Sequence, residues 1–197
     1  ISFPDNRQQE PTTVPRTARI VVPGVPHHIT QRGNNRQDVF FTDDDRRFYL
    51  ATLRKQSERA GLDVIAYCLM TNHVHIVATP AQPDSLRRAL GVTNRVYSPY
   101  VNGLHGRTGH LRPNRFDSCA LDGQHEIAAV RYIERNPLRA RIVRLPWKYP
   151  WSSAQAHCGG DDTTGLLRLG AWRRRYGADA WKQTLQDPLD DDLETSL

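Results

Sequence analysis

The chain has 197 residues, a length that suits one folded domain with short extensions. It holds 27 Lys and Arg against 21 Asp and Glu, and because residues 187–197 contain five acids and no base, the remainder carries a net charge of +11 (27 − 16). No apolar run reaches membrane-spanning length, so a membrane-embedded protein is excluded by composition, and the basic body favours a phosphate-bearing partner such as nucleic acid. Three widely spaced cysteines, Cys68, Cys119 and Cys158, indicate reduced thiols and a cytoplasmic protein.

Strand and helix patterns alternate along most of the chain. Residues 1–18 contain three prolines among polar residues and predict a flexible leader. The predicted elements are a strand from His27 to Gly33, a helix that begins at Thr42 or Asp43 and ends at Gly61, strands over 63–69 and 73–79, a helix over 84–101 that Pro99 could kink or shorten, a short strand from Phe116 to Leu121, a helix from Gly123 to Asn136 stopped by Pro137, and short helices near 152–157 and 171–185.

The order strand, helix, two strands, helix predicts an α+β fold with a split β-α-β sheet. The tight link over 70–72 predicts an antiparallel hairpin between the second and third strands. In this topology the first and third strands are usually central neighbours, which would place the strand of 73–79 beside His27 or His28.

Two histidines stand two residues apart in the third predicted strand. Side chains alternate between faces along a strand, so His73 and His75 should point the same way while Val74 points into the core. Paired imidazoles could hold a metal ion that still needs an oxygen ligand. The alternative is a half-exposed polar face with no metal.

Tyr132 and Asn136 form a second candidate pair. Of the seven tyrosines, only Tyr132 has a carboxamide four residues later, where helical side chains share a face. One helix could therefore supply both a nucleophile and an oxygen ligand. Asn136 also precedes Pro137, so it could equally be a plain helix C-terminus.

Four ordered motifs resemble those of the REP-associated tyrosine transposases, relatives of the single-strand HUH transposases. They are Cys68–His75, Gly109–Leu111 with Arg115-Phe116, Arg131–Pro137 and Pro150–Ser153. In many relatives Trp-Gln follows the Gly-His-Leu, where this chain has Arg112-Pro113, which leaves DNA contacts of that loop open.

The resemblance implies an HUH-type ferredoxin-like antiparallel sheet flanked by helices, and metal-dependent cleavage and strand transfer of single-stranded DNA. A divalent ion, Mg²⁺ or Mn²⁺, would be held by His73 and His75, with Asn136 as third ligand by its position on the helix. Tyr132 would attack the DNA and form a 5′-phosphotyrosine intermediate on hairpin-forming, REP-like DNA. The proton acceptor for the tyrosine stays open, with His110 and a metal-bound water as candidates.

Arginines around these motifs could line a groove for DNA phosphates, although any single one could be a solvated surface residue. The candidates are Arg32, Arg36, Arg107, Arg112, Arg115, Arg131, Arg135, Arg139 and Arg141. The four tryptophans, Trp147, Trp151, Trp172 and Trp181, could stack on bases but are more typical of a core.

The predicted organisation is a leader over 1–18, a transposase domain over 19–158, a helical C-terminal extension over 159–186 and an acidic tail over 187–197. The tail could compete with DNA or simply be solvated. We expect a cytoplasmic, nucleoid-associated monomer or homodimer that binds single-stranded or hairpin DNA and no membrane. Two rival hypotheses are a domesticated non-catalytic DNA-binding protein and a metal-dependent hydrolase that forms no covalent intermediate.

Overall fold

A four-stranded antiparallel sheet forms the centre of the molecule. The computed structural model describes residues 20–112 and 115–187, so the predicted leader and all of the acidic tail except Asp187 lie outside the described residues. The strands are β1 His27–Arg32, β2 Leu62–Leu69, β3 His73–Pro80 and β4 Asp117–Ala120. The sheet order is β2-β3-β1-β4, which places β1 and β3 together at the centre as predicted.

Helices cover both faces of this sheet, which confirms the predicted α+β class. The first two helices pack on one face, and the third packs on the other together with the C-terminal helices. No helix among the described residues is both long and apolar enough to span a bilayer. The helices are α1 Asp43–Ala60, α2 Ser85–Leu104, α3 Gly123–Arg139, α4 Ala154–His157, α5 Leu169–Arg175 and α6 Ala178–Gln186, with short 3₁₀ turns at Asn34–Arg36 and Pro146–Lys148.

The ends of α1 follow from local chemistry. The Thr42 hydroxyl accepts from the backbone N–H of Asp45, and the Asp45 carboxylate accepts from the backbone N–H of Thr42, which is a reciprocal capping box. At the other end Gly61 adopts φ +63°, a left-handed conformation that favours glycine. Both predicted boundaries of this helix are therefore confirmed.

Strand alternation divides the apolar side chains between two cores. Val74 and Ile76 face α1 and α2, whereas Val77 and Cys68 face α3 and the C-terminal helices. Because side chains alternate between the two faces along β3, His73 and every second residue after it lie on the α3 face.

Two proline positions depart from the predicted helix ends. Pro99 lies inside α2, which continues to Leu104, and Pro137 lies inside α3, which continues to Arg139. The prediction that Pro137 stops the helix was therefore wrong. A proline in the last turn removes only one intrahelical hydrogen bond, and the backbone N–H groups of Ala140 and Ile142 still bond the carbonyls of Asn136 and Pro137.

A buried carboxylate joins α3 to the C-terminal helices. Glu134 has no exposed surface; its oxygens accept from the Ser153 hydroxyl at 2.5 Å and from the Trp181 indole N–H at 2.8 Å. The His157 Nδ1 lies 2.6 Å from the same carboxylate, at an angle outside hydrogen-bond geometry. The His157 ring stacks on Trp172 with centroids 4.1 Å apart. Two of the four tryptophans, Trp172 and Trp181, thus belong to the core, as their spacing suggested.

Replacing Glu134 with alanine should lower the free energy of unfolding by about 3–5 kcal/mol, the usual cost of breaking a buried charged network. The substitution would leave the Trp181 N–H and the Ser153 hydroxyl without their acceptor inside the protein. Urea denaturation followed by tryptophan fluorescence measures this loss. The matched control is Glu126→Ala on the same helix, whose partner Arg175 is exposed and 3.7 Å away, and which should cost less than about 1 kcal/mol. Equal losses in the two variants would contradict the role of Glu134.

Candidate active site

The register of the central strands assembles the site. Thr30 of β1 lies opposite His75 of β3, and Arg32 lies opposite His73. The two β3 histidines share the α3 face as predicted, with ring centroids 5.0 Å apart. Each imidazole can therefore present a nitrogen to one shared position.

Polar neighbours contact the Nδ1 atom of each β3 histidine. The Nδ1 of His73 lies 2.6 Å from the Asn72 side-chain oxygen. The Nδ1 of His75 lies 3.0 Å from the Nε2 of His28 and 3.2 Å from the hydroxyl of Thr30. No residue in the described part of the chain hydrogen-bonds the Nε2 atom of either histidine, which leaves both atoms open to another ligand.

Burial keeps these imidazoles neutral. It lowers the pKa of His75 from 6.5 to about 2, with smaller contributions from the neighbouring His28, His73, Arg32 and Arg139. It also lowers the pKa of His73 to about 4, and that of His28 to about 4. Neutral imidazole is the form that coordinates metal ions, so neither ring would have to release a proton to bind a cation at neutral pH.

Tyr132 lies over the histidine cluster from the facing helix. Its half-buried ring has its centroid 5.7 Å from that of His75 and 6.2 Å from that of His28, in edge-on contacts. The guanidinium carbon of Arg139 lies 4.8 Å from the centre of the Tyr132 ring. The described structure thus brings Tyr132 and the histidine pair together across the sheet–helix interface.

Asn136 provides the test of whether this site suits a metal ion. Within the described residues no group of three or more His, Cys, Asp or Glu side chains is placed to hold a metal, so a third protein ligand must be of another type. Asn136 is one turn from Tyr132 on the same helix face, and its buried amide nitrogen finds no hydrogen-bond partner among those residues. Rotation of the carboxamide by half a turn would put its oxygen at the position of this nitrogen. A carboxamide oxygen is a suitable ligand for Mg²⁺ or Mn²⁺. The side chains present therefore fit a divalent ion.

Six of the nine candidate arginines lie at the surface. Arg32 and Arg139 are close enough to the histidine pair to lower the pKa of His75 and are both exposed. Arg107 is also exposed, with its guanidinium hydrogen-bonded to the Gln37 side chain at 2.8 Å. Arg36 and Arg115 complete the exposed group, and so does the further candidate Arg141.

Arg112 does not lie where a phosphate contact requires. It is only 4% exposed, and its guanidinium sits 4.9–5.6 Å from the ring centres of Phe40, Tyr49 and Tyr97 while bonding the Gln31 side chain at 3.2 Å. Its burial lowers the pKa of Arg112. The prediction for this residue is corrected: it fills an aromatic pocket beneath α1 and α2.

Arg131 and Arg135 also have partners inside the protein. Arg135 is 8% exposed and donates to the backbone carbonyls of Leu185 and Asp187, the former at 2.7 Å. Arg131 donates to the Asp187 carbonyl at 2.9 Å. These contacts connect α3 to the C-terminal end of α6, where carbonyl groups attract cations, so we correct the prediction that these two arginines line the DNA groove.

Sequence reasoning assigned no role to three polar residues of the site. His28 was expected near the pair only as one of two options, and Thr30 and Asn72 were not singled out. The signal that could have found His28 and Thr30 is the strand alternation itself, because both share a phase with Arg32 in β1. The His110 side chain is exposed, and no contact between it and Tyr132 occurs in the described part of the chain.

Comparison with known proteins identifies an enzyme that acts on DNA. The chain belongs to the IS200-like transposase family, whose model matches residues 22–136. No curated protein sequence matches the chain.

Two solved structures match parts of the chain. One is a REP-associated tyrosine transposase bound to a REP hairpin, with a TM-score of 0.57 and 18% sequence identity over 73% of this chain and 85% of that chain. The other is a proposed transposase from Deinococcus radiodurans, with a TM-score of 0.42 and 21% identity over 61% of this chain and 96% of that one. The first of these supports the HUH-type sheet arrangement predicted from the motifs.

Proposed function

We propose that this transposase cleaves and rejoins single-stranded DNA through a covalent bond to Tyr132, with a divalent cation at the paired histidines. The observation that supports it best is the 5.7 Å separation between the ring centroids of Tyr132 and His75. The tyrosine comes from the helix layer and the histidine from the sheet. A phenol beside neutral, buried imidazoles has no evident structural purpose, whereas strand transfer needs both groups at one phosphate.

The cation would be held by His73, His75 and Asn136. When bound, a divalent ion supplies a Lewis acid that polarises the scissile phosphate and stabilises its developing charge. Mixed nitrogen and oxygen ligands suit Mn²⁺ as well as Mg²⁺, so we propose activity with either ion.

Tyr132 carries the bond exchange. Its phenolic oxygen forms a new bond to phosphorus while the bond from phosphorus to the 3′ oxygen breaks, and the free 3′ hydroxyl takes up a proton as the phenol gives one up. The product is a 5′-phosphotyrosine, so the energy of the ester is kept and rejoining to another 3′ hydroxyl needs no ATP.

Exposed arginines on two sides of the site would orient the DNA backbone. Arg32 ends β1 opposite His73, and Arg139 approaches from the last turn of α3. Guanidinium groups bind phosphate in a bidentate manner. One such group on each side of the histidines would hold the DNA strand across the Tyr132 hydroxyl.

Replacing Arg32 with alanine should weaken binding of single-stranded DNA and flatten its salt dependence. Loss of one phosphate contact reduces the slope of log K against log salt by about 0.7 for a single strand. Fluorescence anisotropy across a salt series measures the slope. Arg87→Ala removes the same charge from a 75% exposed side chain on α2, paired with Asp84, and should leave the slope unchanged. An unchanged slope for Arg32→Ala would remove this residue from the proposed DNA path.

A hairpin-forming single strand is the substrate we propose. The support is the similarity in fold to a transposase whose structure holds a REP hairpin, together with the motifs shared with that group. The basic body of the chain is also suited to the high phosphate density of a folded strand.

Incubation with labelled single-stranded hairpin DNA and Mg²⁺, followed by denaturing electrophoresis, tests the proposed function. We expect labelled DNA that migrates with the protein and a shorter strand with a free 3′ hydroxyl. Free product with no adduct would indicate a hydrolase, and intact DNA under conditions that permit binding would indicate a non-catalytic DNA-binding protein. Either result would overturn the proposal.

A further inference from the structure

The two β3 histidines contact polar neighbours through the same ring atom, although those neighbours come from different segments. His73 uses Nδ1 toward Asn72 in the β2–β3 turn, and His75 uses Nδ1 toward His28 in β1. We infer that Asn72 and His28 are positioning residues that hold both histidines with Nδ1 protonated and Nε2 free for the cation. The inference rests on the proposed metal site and deepens it.

The hydrogen bond between His73 and Asn72 can have only one direction, with the histidine as donor. A carboxamide oxygen accepts hydrogen bonds and cannot donate them, so His73 must carry its proton on Nδ1 to make the 2.6 Å contact. The Asn72 amide nitrogen in turn donates to the backbone carbonyl of Arg36 at 3.2 Å, which sets which end of the carboxamide faces the ring. A neutral imidazole protonated on Nδ1 has its lone pair on Nε2.

The contact between His28 and His75 is compatible with the same arrangement for His75, with the Thr30 hydroxyl 3.2 Å from its Nδ1 as a second acceptor. His28 Nδ1 has no bond among the described residues, and its Nε2 lies 3.0 Å from the His75 Nδ1 and 3.5 Å from the Thr30 hydroxyl. If His28 accepts through Nε2, the His75 ring donates through Nδ1 and keeps its own Nε2 unprotonated. His28 and His75 stack with centroids 5.2 Å apart and an interplanar angle of 18°, so the pair also limits rotation of the His75 ring.

Burial makes the contact between His28 and His75 hard to replace by water. His28 is 7% exposed and His75 is 3% exposed. A water molecule could not readily take the place of the His28 nitrogen without a cavity to hold it. Outer contacts of this kind orient metal-binding histidines, and their loss typically weakens metal affinity by about 10–100-fold.

Mn²⁺ titration of the DNA-free protein, followed by the electron paramagnetic resonance signal of free Mn²⁺, tests the inference without relying on catalysis. We expect the dissociation constant for Mn²⁺ to rise by about 10-fold or more in Asn72→Ala and in His28→Phe. Asn72→Asp and His28→Gln keep an acceptor near the same position and should bind Mn²⁺ more tightly than the first two variants. Asn102→Ala is the matched control, because its side chain bonds the Gly109 carbonyl in another part of the molecule.

Nitrogen-15 NMR of the imidazole rings of the wild-type protein without metal provides a second readout that needs no variant. Protonation of His73 and His75 at Nδ1 supports the inference, and protonation at Nε2 overturns it. Unchanged Mn²⁺ affinity in Asn72→Ala and His28→Phe also overturns it, including the case in which only their melting temperatures fall. If wild-type protein and His73→Ala bind Mn²⁺ equally poorly, the metal site itself is wrong and this inference fails with it.

Discussion

Replacing Tyr132 with phenylalanine is expected to abolish the covalent protein–DNA adduct and to leave DNA binding intact. The substitution removes one oxygen atom from a half-buried ring and keeps the edge-on contacts with His28 and His75. Loss of a nucleophile that acts together with its neighbours typically removes almost all of the rate, so adduct formation should fall by at least about 10³-fold. Denaturing electrophoresis measures the adduct, and fluorescence anisotropy of the same samples measures binding.

The matched control is Tyr100→Phe, which makes the same chemical change on α2. Its ring stacks on Phe48 with centroids 3.8 Å apart, on the other face of the sheet. This variant should form the adduct at the wild-type rate. A full yield of adduct from Tyr132→Phe would show that another residue attacks the DNA, and the proposed chemistry would be wrong.

Removal of either β3 histidine should be nearly as damaging as removal of the tyrosine. A bound metal ion contributes several kcal/mol to stabilising a phosphoryl transition state, so His73→Ala and His75→Ala should each lower adduct formation by at least about 10³-fold. Excess chelator should have the same effect on the wild-type protein, with recovery when Mg²⁺ or Mn²⁺ is added back. His125→Ala is the control, since this histidine bonds Asp122 at the exposed start of α3. Cleavage that persists in chelator would remove the metal from the mechanism.

The lowered histidine pKa values add a pH dependence to this prediction. An exposed imidazole with the ordinary pKa near 6.5 would lose metal as the pH falls through that value. Here protons compete with the metal only when the pH approaches the pKa of His73, about 4, because that of His75 is lower still at about 2. The Mn²⁺ affinity measured by titration should therefore stay constant between about pH 8 and about pH 6. A tenfold loss over this interval would contradict the buried, neutral state of the pair.

Local patterns were sufficient to predict most of the fold. The capping box at Thr42, the left-handed Gly61 and the alternation of β3 act between near neighbours, so the order of elements and the direction of the histidines followed from sequence. Pro137 was misleading because a proline normally ends a helix, whereas α3 loses one intrahelical hydrogen bond there and still continues to Arg139.

The environments of the arginines depend on contacts between distant residues. Arg112 meets Phe40 and Tyr49, more than sixty residues earlier in the chain, and no local pattern distinguishes it from the exposed Arg115. Arg135 faces the end of α6, fifty residues later. Charge predicts that arginines contact a phosphate-bearing partner collectively, but which of them remain available is decided by tertiary packing.

The buried carboxylate of Glu134 limits how far the chain can be truncated from its C-terminal end while the enzyme still works. The region matched by the family ends at Asn136, yet the groups that solvate this acid come from Ser153 and Trp181. A chain cut before α5 would keep every proposed catalytic group but would open one side of the acid to water and remove the packing behind the tyrosine-bearing helix. Residues of α5 and α6 thus complete the core that α3 shares, although they lie beyond the region that the family model matches.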